Sequence, residues 1–378
     1  MKILITSIID LKKSHHNRPH EFLKFLTKSH DITVLSINDW WKGGQNDLEA
    51  YSSEFNDIFN RVDYHYLTEN RISPIVQELF LKKKIKKVLN ESFDVHINYN
   101  SLISGYEGTK RLNTVFDIAD DLVAMIRESS QIPGPLKPFG AYLGRHFLKK
   151  NIEKSRKVIL TTEVLKKECN IPDDKAEIIP NGVDVDLFRN HDCAKEELGF
   201  NGFIIGYVGV LREWVDLEPV FKALKELNKE IRMIVIGKEG SFYENVELTK
   251  RYGVEDRVIF TGMIPYSKIP KYISAMDVCL IPFKSNAISE SALPLKLFEY
   301  MACEKPIISL EIPSVKSVAG NSVLYASNKK EYVEKIMMLY SDEALRKRLG
   351  RKGRKNVQEN YDWEKSAEKL EKILHTMI

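Results

Sequence analysis

The segment LPLKLFEYMA, residues 293–302, places a proline, a lysine and a glutamate at the start of a predicted helix. Pro294 suits the first helical position, where the first-turn amides lack partners and the helix dipole favours an anion. Lys296 adds a positive charge at that end, and Glu299 follows on the same helical face, where a carboxylate can accept hydrogen bonds from vicinal hydroxyls. The segment therefore predicts a nucleoside diphosphate site, with an amphipathic core helix bearing solvated charges as the alternative.

Two glycines in the same half of the chain each follow a predicted strand. At Gly209 and Gly237 the absence of a side chain lets backbone amides approach a phosphate closely. Arg212 and Lys238 lie just beyond these glycines, and either could occupy an ordinary surface position. Arg212 also has carboxylates nearby in the sequence with which it could pair.

A second chemical signal is the acidic segment VFDIADD, residues 115–121, which runs from a predicted buried strand into a loop. Ligands of parallel sheets bind at the carboxyl ends of strands, so at least one of these carboxylates should reach a site. Crowding of like charges raises a carboxylate pKa, which suits a general base near neutral pH. We expect Asp121 and Asp120 to be better candidates than Asp117, although either could instead cap the next helix.

These residues need a scaffold, and the chain alternates predicted strands with helical patterns. The predicted strands cover residues 2–7, 31–36, 94–98, 114–117, 158–161, 203–208, 233–236, 258–260, 278–281, 306–309 and 323–325. Such alternation predicts an α/β architecture of parallel sheets covered by helices on both faces. The last stretch, from residue 361 to residue 374, has the pattern of an amphipathic helix.

Composition and charge narrow the class of protein. The length of 378 residues suggests two domains. A net charge of +4 does not indicate the strongly basic surface that is typical of nucleic-acid-binding proteins. Residues 1–180 carry 27 basic and 24 acidic groups, against 30 and 29 in the remainder. The four cysteines are far apart and indicate a reducing, cytoplasmic compartment. The apolar run of residues 1–9 is too short for a membrane span and lacks a signal-peptide cleavage region.

The string IIPNGVDVDLF, residues 178–188, resembles the opening of the second domain in GT-B-fold, family 4-like glycosyltransferases of group 1. The strand motifs that follow, and the Pro-Leu-Lys of residues 294–296, resemble a subgroup of that family, and the resemblance covers essentially the whole chain. It implies two Rossmann-like domains facing across a cleft. Residues 1–179 would bind the acceptor, residues 180–360 would bind the nucleotide sugar, and residues 361–378 would cross back onto the first domain.

The resemblance also implies an activity. A sugar would move from a nucleoside-diphosphate sugar, uridine-linked, to a saccharide or lipid-linked acceptor in envelope polysaccharide or glycoconjugate synthesis. Cations and helix amides would stabilise the departing diphosphate, so neither a metal ion nor a cofactor is expected. The expected nucleotide-sugar contacts are Gly209, Arg212, Gly237, Lys238, Pro294, Leu295, Lys296 and Glu299. The alternatives are a sugar-nucleotide epimerase of the same fold and a catalytically silent homologue acting as a partner subunit.

The chain departs from the commonest family pattern at the catalytic glutamates. Most retaining members carry two glutamates separated by seven residues, but the position eight before Glu299 is Ser291, and Glu290 comes one residue too early. Either a local shift brings Glu290 into a catalytic place, or Lys296 serves as in the Pro-Leu-Lys subgroup, which we favour. The stereochemical outcome stays open, because an inverting reaction needs a general base and a retaining one can proceed without it.

On the acceptor side, the glycine-rich turn common near the family's amino terminus is absent. Arg18 and His20 resemble the start of the subgroup's first long helix and would border the cleft, where a histidine could move protons. Three nearby histidines could also bind a metal ion, but no acidic or cysteine ligand accompanies them at helical spacing, so we expect none. The Asp184-Val185-Asp186 triplet matches the metal motif of the GT-A class, but its place in the resembling string predicts a turn.

Two basic segments, residues 79–89 and 142–150, mix lysines and arginine with apolar residues. Such segments can dock on anionic lipid, and enzymes that extend lipid-linked glycans must reach a bilayer surface. A solvated basic helix face is the alternative for either segment. The expected location is therefore cytoplasmic, with peripheral contact to the inner face of the membrane left open.

Overall fold

The chain folds into two compact units, which we describe separately. The computed structural model describes residues 1–39, 55–72, 76–78, 82–89, 91–129 and 132–378. The N-terminal unit contains Met1–Pro180 and Trp363–Ile378, and the C-terminal unit contains Asn181–Asp362. The sequence predicts the change of domain after residue 179, one residue earlier.

In the described residues, the N-terminal unit has a sheet of seven parallel strands. These are β1 (Lys2–Ser7), β2 (Asp31–Ser36), β3 (Val62–Tyr66), β4 (Val95–Tyr99), β5 (Thr114–Ile118), β6 (Lys157–Leu160) and β7 (Ala176–Ile178). Their order across the sheet is β3-β2-β1-β4-β5-β6-β7. In register, Ile3 of β1 aligns with Ile32 of β2 and with Val95 of β4, and all three are at most 4% exposed. This burial explains the continuous apolar runs, because a parallel sheet is covered on both faces.

The C-terminal unit has a sheet of six parallel strands. These are β8 (Phe203–Val208), β9 (Ile231–Ile236), β10 (Val258–Gly262), β11 (Val278–Ile281), β12 (Ile307–Ser309) and β13 (Val323–Tyr325). Their order is β10-β9-β8-β11-β12-β13. The connections reverse direction between β8 and β11, as they do between β1 and β4 in the other unit. Ligands of open α/β sheets bind outside the carboxyl ends of the strands at such a reversal.

The helices are numbered along the chain. In the N-terminal unit they are α1 (Arg18–Leu26), α2 (Asn56–Phe59), α3 (Lys82–Val88), α4 (Ser104–Thr109), α5 (Leu122–Glu128), α6 (Lys137–Lys154) and α7 (Glu163–Glu168). In the C-terminal unit they are α8 (Ala194–Glu197), α9 (Glu218–Leu224), α10 (Phe242–Tyr252), α11 (Ile269–Ser274), α12 (Ala287–Ser291), α13 (Leu295–Ala302), α14 (Pro313–Ala319), α15 (Lys329–Ser341) and α16 (Glu343–Asn360). Short 3₁₀ turns cover Gly134–Leu136, Glu255–Arg257 and Tyr266–Lys268. No helix in the described part of the chain is both long and apolar enough to cross a membrane.

The last helix, α17 (Trp363–His375), belongs to the N-terminal unit and packs on α1. Trp363 is 1% exposed, and its ring lies edge-on to Phe22 of α1 with the centroids 5.9 Å apart. Farther along both segments, Nε2 of His30, which follows α1, lies 2.8 Å from Oε1 of Glu371 in α17. An aromatic packing contact and a polar contact thus hold the end of the chain on the first helix.

Strand prediction succeeds in the centre of each sheet and fails at both edges of the seven-stranded sheet. The predicted bounds of β1, β2, β8, β11 and β13 agree with the structure. The missed strands are β3 and β7, which form the two edges of the seven-stranded sheet. In β3 only Val62 is buried, and no residue of β7 is fully buried. Edge strands with so little burial do not produce the apolar pattern on which strand prediction depends.

Candidate functional site

The candidate site in the C-terminal unit begins where β8 ends. Gly209 follows Val208 directly and has φ 130°, a conformation that glycine adopts readily and other residues rarely do. A Cβ atom at Gly209 would lie 2.9 Å from the Nζ atom of Lys296. The bare backbone therefore leaves room for the lysine ammonium beside the loop.

The loop after β9 packs directly against the loop after β8. Gly237 has φ 133°, and a Cβ atom there would collide with the carbonyl oxygen of Gly209. Two backbone hydrogen bonds strengthen this region: Gly209 N donates to Ile236 O over 2.8 Å, and Gly237 N donates to Gly262 O over 2.9 Å. Gly237 is thus required by close backbone approach, and Gly209 by its positive φ angle and by the space it leaves for the Lys296 side chain.

Helix α13 begins one residue later than predicted. Pro294 is the N-cap, with φ −70° and ψ 135°, and Leu295 is the first helical residue. The expectation of Pro294 at the first helical position is therefore wrong by one residue, because its extended ψ angle excludes it from the helix. The first-turn amides still follow it, and Leu295 and Lys296 stay partly exposed at this end.

Asn181 anchors the chain just before α13. Its Nδ2 atom donates to Leu293 O over 2.7 Å, across 112 positions of sequence. Its Oδ1 atom is buried without a hydrogen-bond partner among the described residues. No local pattern marks Asn181 as a site residue, although it lies in the family-like string of residues 178–188. The anchor gives that string a physical role, which is to fix the start of α13.

Lys296 is set deeply beside Tyr207. Its Nζ atom lies 2.9 Å from Tyr207 Oη and 4.3 Å from the centroid of the Tyr207 ring, with the Phe283 ring centroid 5.4 Å away. Part of its surface stays accessible, but desolvation lowers the pKa of Lys296 to about 8, opposed by the charge of Glu299. A protonated amine held this way is poised to gain an anionic partner.

Tyr207 is a second site residue that the sequence does not predict. It is fully buried in β8, and its hydroxyl donates to Val210 O over 2.9 Å while accepting from Lys296. The side chain therefore links the lysine to the loop that begins at Gly209. Because its two partners lie 3 and 89 positions away in sequence, no local pattern indicates this role.

Glu299 lies one turn after Lys296 in α13 and is 8% exposed. Its negative charge raises the pKa of Lys296, which places the two side chains near each other. A carboxylate in this position has oxygen atoms suited to paired hydroxyl donors. The structure thus places Gly209, Lys296 and Glu299 in one region, as the motif predicts, and adds Tyr207.

Arg212 and Lys238 are exposed residues of the two glycine loops. Among the described residues, the Arg212 side chain has no hydrogen-bond or ion-pair partner, so the alternative pairing with a nearby carboxylate is not formed. Its charge does reach Tyr207, where it slightly opposes the burial that raises the pKa of the hydroxyl. Arg212 is therefore a positive charge that acts on Tyr207, the hydroxyl partner of Lys296, and its side chain lacks a partner among the described residues.

Glu290 lies on the short helix α12 and is exposed. Its Oε1 atom accepts a hydrogen bond from Ser285 Oγ over 3.3 Å. Ser291, at the position expected for the first family glutamate, is buried and bonds back to its own helix through Ala287 O and Ile288 O. Glu290 thus remains a solvent-facing carboxylate, and its catalytic role stays a prediction.

The acidic segment of the N-terminal unit contains three carboxylates with different partners. Asp117 is buried and pairs with Arg18, whose Nε lies 2.9 Å from Asp117 Oδ2. Asp121 caps α5, because its Oδ1 accepts from Val123 N over 3.0 Å and from Ala124 N over 2.9 Å. The capping alternative therefore holds for Asp121, which makes it a weaker candidate base than the sequence suggests.

Asp120 is the carboxylate best suited to accept a proton. Burial raises the pKa of Asp120 to about 6, helped by the charge of Asp121 and opposed by Arg18. Its side chain stays partly exposed. The order of candidates thus reverses, with Asp120 now preferred over Asp121.

Arg18 and His20 are both buried at the start of α1. Arg18 Nη1 donates to Ile179 O over 2.7 Å and to Pro180 O over 3.1 Å, so it holds the end of the N-terminal unit. Both ring nitrogens of His20 have partners, Asn17 and Leu11, and burial lowers the pKa of His20 to about 3. The expectation that His20 could move protons near neutral pH is therefore wrong, since its ring stays neutral.

The possible metal motifs have other roles. Asp184 Oδ1 accepts from Asp186 N over 3.2 Å and from Leu187 N over 2.9 Å, which forms a turn as predicted. In the described ranges, no group of three or more histidine, cysteine or acidic side chains is arranged to hold a metal ion. That the reaction needs no metal stays a prediction.

Comparison with known proteins gives this site a context. The sequence model of the family described as glycosyl transferases group 1 matches residues 190–356, which include β8 to β13 and α13. TuaH of Bacillus subtilis (strain 168), a putative teichuronic acid biosynthesis glycosyltransferase, is 27% identical over 208 residues, covering 50% of this chain and 48% of TuaH. The chain spans about half the length of the curated relatives it matches.

Solved structures share the fold at low identity. Sucrose-phosphate synthase from Thermosynechococcus elongatus has a TM-score of 0.80 and 16% identity, covering 100% of this chain and 98% of that one. Anabaena HepE in complex with UDP-glucose has a TM-score of 0.76 and 16% identity, covering 100% of both chains. Sequence and fold thus point the same way: residues 190–356 match the model of group 1 glycosyl transferases, and the two Rossmann-like units have the GT-B fold of these solved structures.

Proposed function

We propose that this protein transfers a sugar from a uridine diphosphate sugar to a saccharide or lipid-linked acceptor in envelope polysaccharide or glycoconjugate synthesis. The observation that carries the proposal is the Lys296 ammonium, held by Tyr207 beside Gly209 at the start of α13. The name of TuaH supports the pathway class, and the UDP-glucose bound to HepE supports the donor class.

In this proposal the C-terminal unit stabilises the leaving group. As the bond between sugar and diphosphate breaks, negative charge grows on the diphosphate oxygens. The Lys296 ammonium, the first-turn amides of α13 and the Arg212 guanidinium would meet that charge with little reorganisation. Glu299 would accept hydrogen bonds from the ribose hydroxyls and so orient the nucleoside.

The N-terminal unit would supply the base and bind the acceptor. Asp120 is ionised above its pKa of about 6 and can then accept the proton of an acceptor hydroxyl. Arg18 does not contact the acceptor in this scheme, because its guanidinium is already bound to Asp117 and two carbonyls. We assign Arg18 instead to positioning the acidic segment.

Assays of turnover with and without an acceptor distinguish transfer from the two alternatives, an epimerase and a silent partner subunit. An epimerase would change the donor sugar without any acceptor, and a silent homologue would bind nucleotide without turnover. The relatives described above are named for transfer or synthesis, which favours neither alternative.

Calorimetric titration with uridine, guanosine and adenosine diphosphates tests the proposal, with added magnesium or chelator as separate arms. Wild type should bind the uridine compound selectively in both arms, and Lys296→Met should weaken binding by roughly ten- to a hundredfold because a charge-assisted contact is lost. Lys305→Met is a matched control: Lys305 is also largely buried, but it precedes the amino end of β12, whereas Lys296 lies beside the loop that follows the carboxyl end of β8.

Equal loss of affinity in the two lysine variants would mean that destabilisation, not the missing ammonium, explains the effect. Binding that depends on magnesium would overturn the metal-independent mechanism. Unchanged binding in Lys296→Met would remove the central assignment.

A further inference from the structure

Exposed apolar side chains are concentrated in one stretch of the N-terminal unit. Of the seven large apolar side chains that are exposed in the described part of the chain, four lie between residues 125 and 142. These are Met125, Leu136, Phe139 and Tyr142, with exposed fractions of 37, 55, 62 and 63%. Such a concentration indicates a surface that another apolar phase covers.

The spacing places three of these side chains on one outward strip. Leu136 is the N-cap of α6, and Phe139 and Tyr142 follow it at intervals of three residues, so the three side chains share one side of the helix. The opposite side is packed against the protein: Ala141 and Leu148 are buried, and a Cβ atom at Gly144 would lie 2.7 Å from Ile126 of α5. The strip is therefore not part of the core.

Positive charge continues the strip along the same helix. Residues 125–154 contain six lysines and arginines but only two glutamates. Arg145, His146 and Lys149 are exposed on the turns after Tyr142, and the Lys149 side chain is 79% exposed, 3.8 Å from Glu153. Aromatic residues beside a basic cluster fit the boundary between headgroups and acyl chains of an anionic bilayer. Two copies meeting through this strip would instead bring like charges together.

We propose that this docking strip, formed by Leu136, Phe139, Tyr142, Arg145 and Lys149, binds the surface of an anionic lipid bilayer. The docking strip is connected to the candidate base Asp120 through α5. This helix begins directly after Asp121, has seven residues and packs on α6, which carries the strip. Seven helical residues rise about 10 Å. Docking would thus hold the acidic segment near the bilayer, which selects a lipid-linked acceptor. That last step rests on the proposed function, whereas docking itself does not.

Sedimentation of the full chain with lipid vesicles tests the docking. Vesicles of phosphatidylcholine with phosphatidylglycerol should carry the protein down, and vesicles of phosphatidylcholine alone should bind it more weakly. The double variant Phe139→Ser, Tyr142→Ser should lose roughly tenfold or more in apparent affinity, since both apolar anchors are removed. Tyr243→Ser is the matched control, because Tyr243 is 73% exposed but lies in the C-terminal unit; it should bind like wild type.

The variant Arg145→Gln, Lys149→Gln tests the charge separately and should lose roughly tenfold on anionic vesicles only. Thermal melting checks that each variant is folded. Vesicle binding that is absent in wild type, or equal in all variants, would overturn the proposal. So would a concentration-dependent dimer in light scattering that the aromatic variant abolishes, because a second copy would then cover the strip. Uridine diphosphate binding, measured on the same samples, reports separately on the proposed function.

Discussion

The two units differ in the sign and in the partners of the buried charged groups at their candidate sites. In the C-terminal unit, Lys296 has a neutral hydroxyl partner in Tyr207, and burial lowers its pKa to about 8. In the N-terminal unit, Arg18 pairs with Asp117, while Asp120 keeps a pKa raised by burial to about 6. Desolvation moves both groups toward neutrality. Lys296 is thus a cation that can bind an anion, and Asp120 is a carboxylate that can accept a proton near neutral pH.

The difference teaches that binding and turnover depend on different kinds of structure. The lysine site is defined by backbone geometry, because Gly209 and Gly237 must lie against each other and α13 must start beside them. The acidic site is defined by which side chains already have partners. Substitutions in the two units should therefore separate nucleotide affinity from transfer rate.

The largest effect is expected at the candidate base. Asp120→Asn should lower the transfer rate by roughly 10²- to 10⁴-fold, the usual contribution of a general base, and leave uridine diphosphate affinity unchanged. The rate is measured as nucleoside diphosphate released in the presence of an acceptor. Asp121→Asn is the neighbouring control, since an amide oxygen can still cap α5. A larger loss of transfer rate in Asp121→Asn than in Asp120→Asn would instead identify Asp121 as the general base.

Next in size is the pH dependence of nucleotide binding. If only protonated Lys296 binds the diphosphate, affinity should be constant below its pKa of about 8 and fall by about tenfold for each pH unit above it. Calorimetry in two buffers of different ionisation enthalpy should also show proton uptake on binding near that pH. Lys296→Arg, which stays charged, should remove the dependence; a wild-type affinity that is flat through this range would contradict the assignment.

A smaller effect is expected from Tyr207→Phe. Loss of the hydroxyl leaves Val210 O without its donor and Lys296 without its oriented partner, so uridine diphosphate affinity should fall by roughly three- to tenfold. Tyr300→Phe is the control, because the Tyr300 hydroxyl is buried and accepts from Val208 N over 2.8 Å. The two variants should lose similar thermal stability. Only Tyr207→Phe should move the pH midpoint of binding, and equal midpoints would leave Tyr207 a structural role alone.

The smallest effect concerns the cap of α5. Asp121→Ala should cost about 1 kcal/mol in the free energy of unfolding, because Val123 N and Ala124 N lose their acceptor. Chemical denaturation measures this cost, and Asp121→Asn should retain most of the stability. Equal stability of Asp121→Ala and wild type would show that the cap contributes nothing.

The sequence predicts the two-sheet α/β fold because each central strand carries its own apolar run. Residues 203–208, all of which are buried, and residues 2–7, of which all but one are buried, are examples. The edge strands β3 and β7 escape prediction because they bury little. Their pairing depends on neighbours elsewhere in the chain, which local periodicity does not encode.

At the candidate site, the residue types of Lys296, Glu299 and Gly209 follow a local motif and could be predicted. The roles of Tyr207 and Asn181 could not, because their hydrogen bonds join positions 89 and 112 residues apart. The same limit applies to the acidic segment. The sequence favours Asp120 and Asp121 over Asp117 but does not separate the two, and only the capping contacts of Asp121 distinguish it from Asp120.

The lowered pKa of Lys296 also gives the residue a distinctive reactivity. At pH 8 about half of a lysine with that pKa is unprotonated, whereas ordinary lysines remain almost entirely charged. The free amine is a nucleophile, so an anionic aldehyde or a mild acylating reagent should modify Lys296 ahead of the many surface lysines. Bound nucleotide should protect it, which turns selective covalent labelling into a direct report of site occupancy.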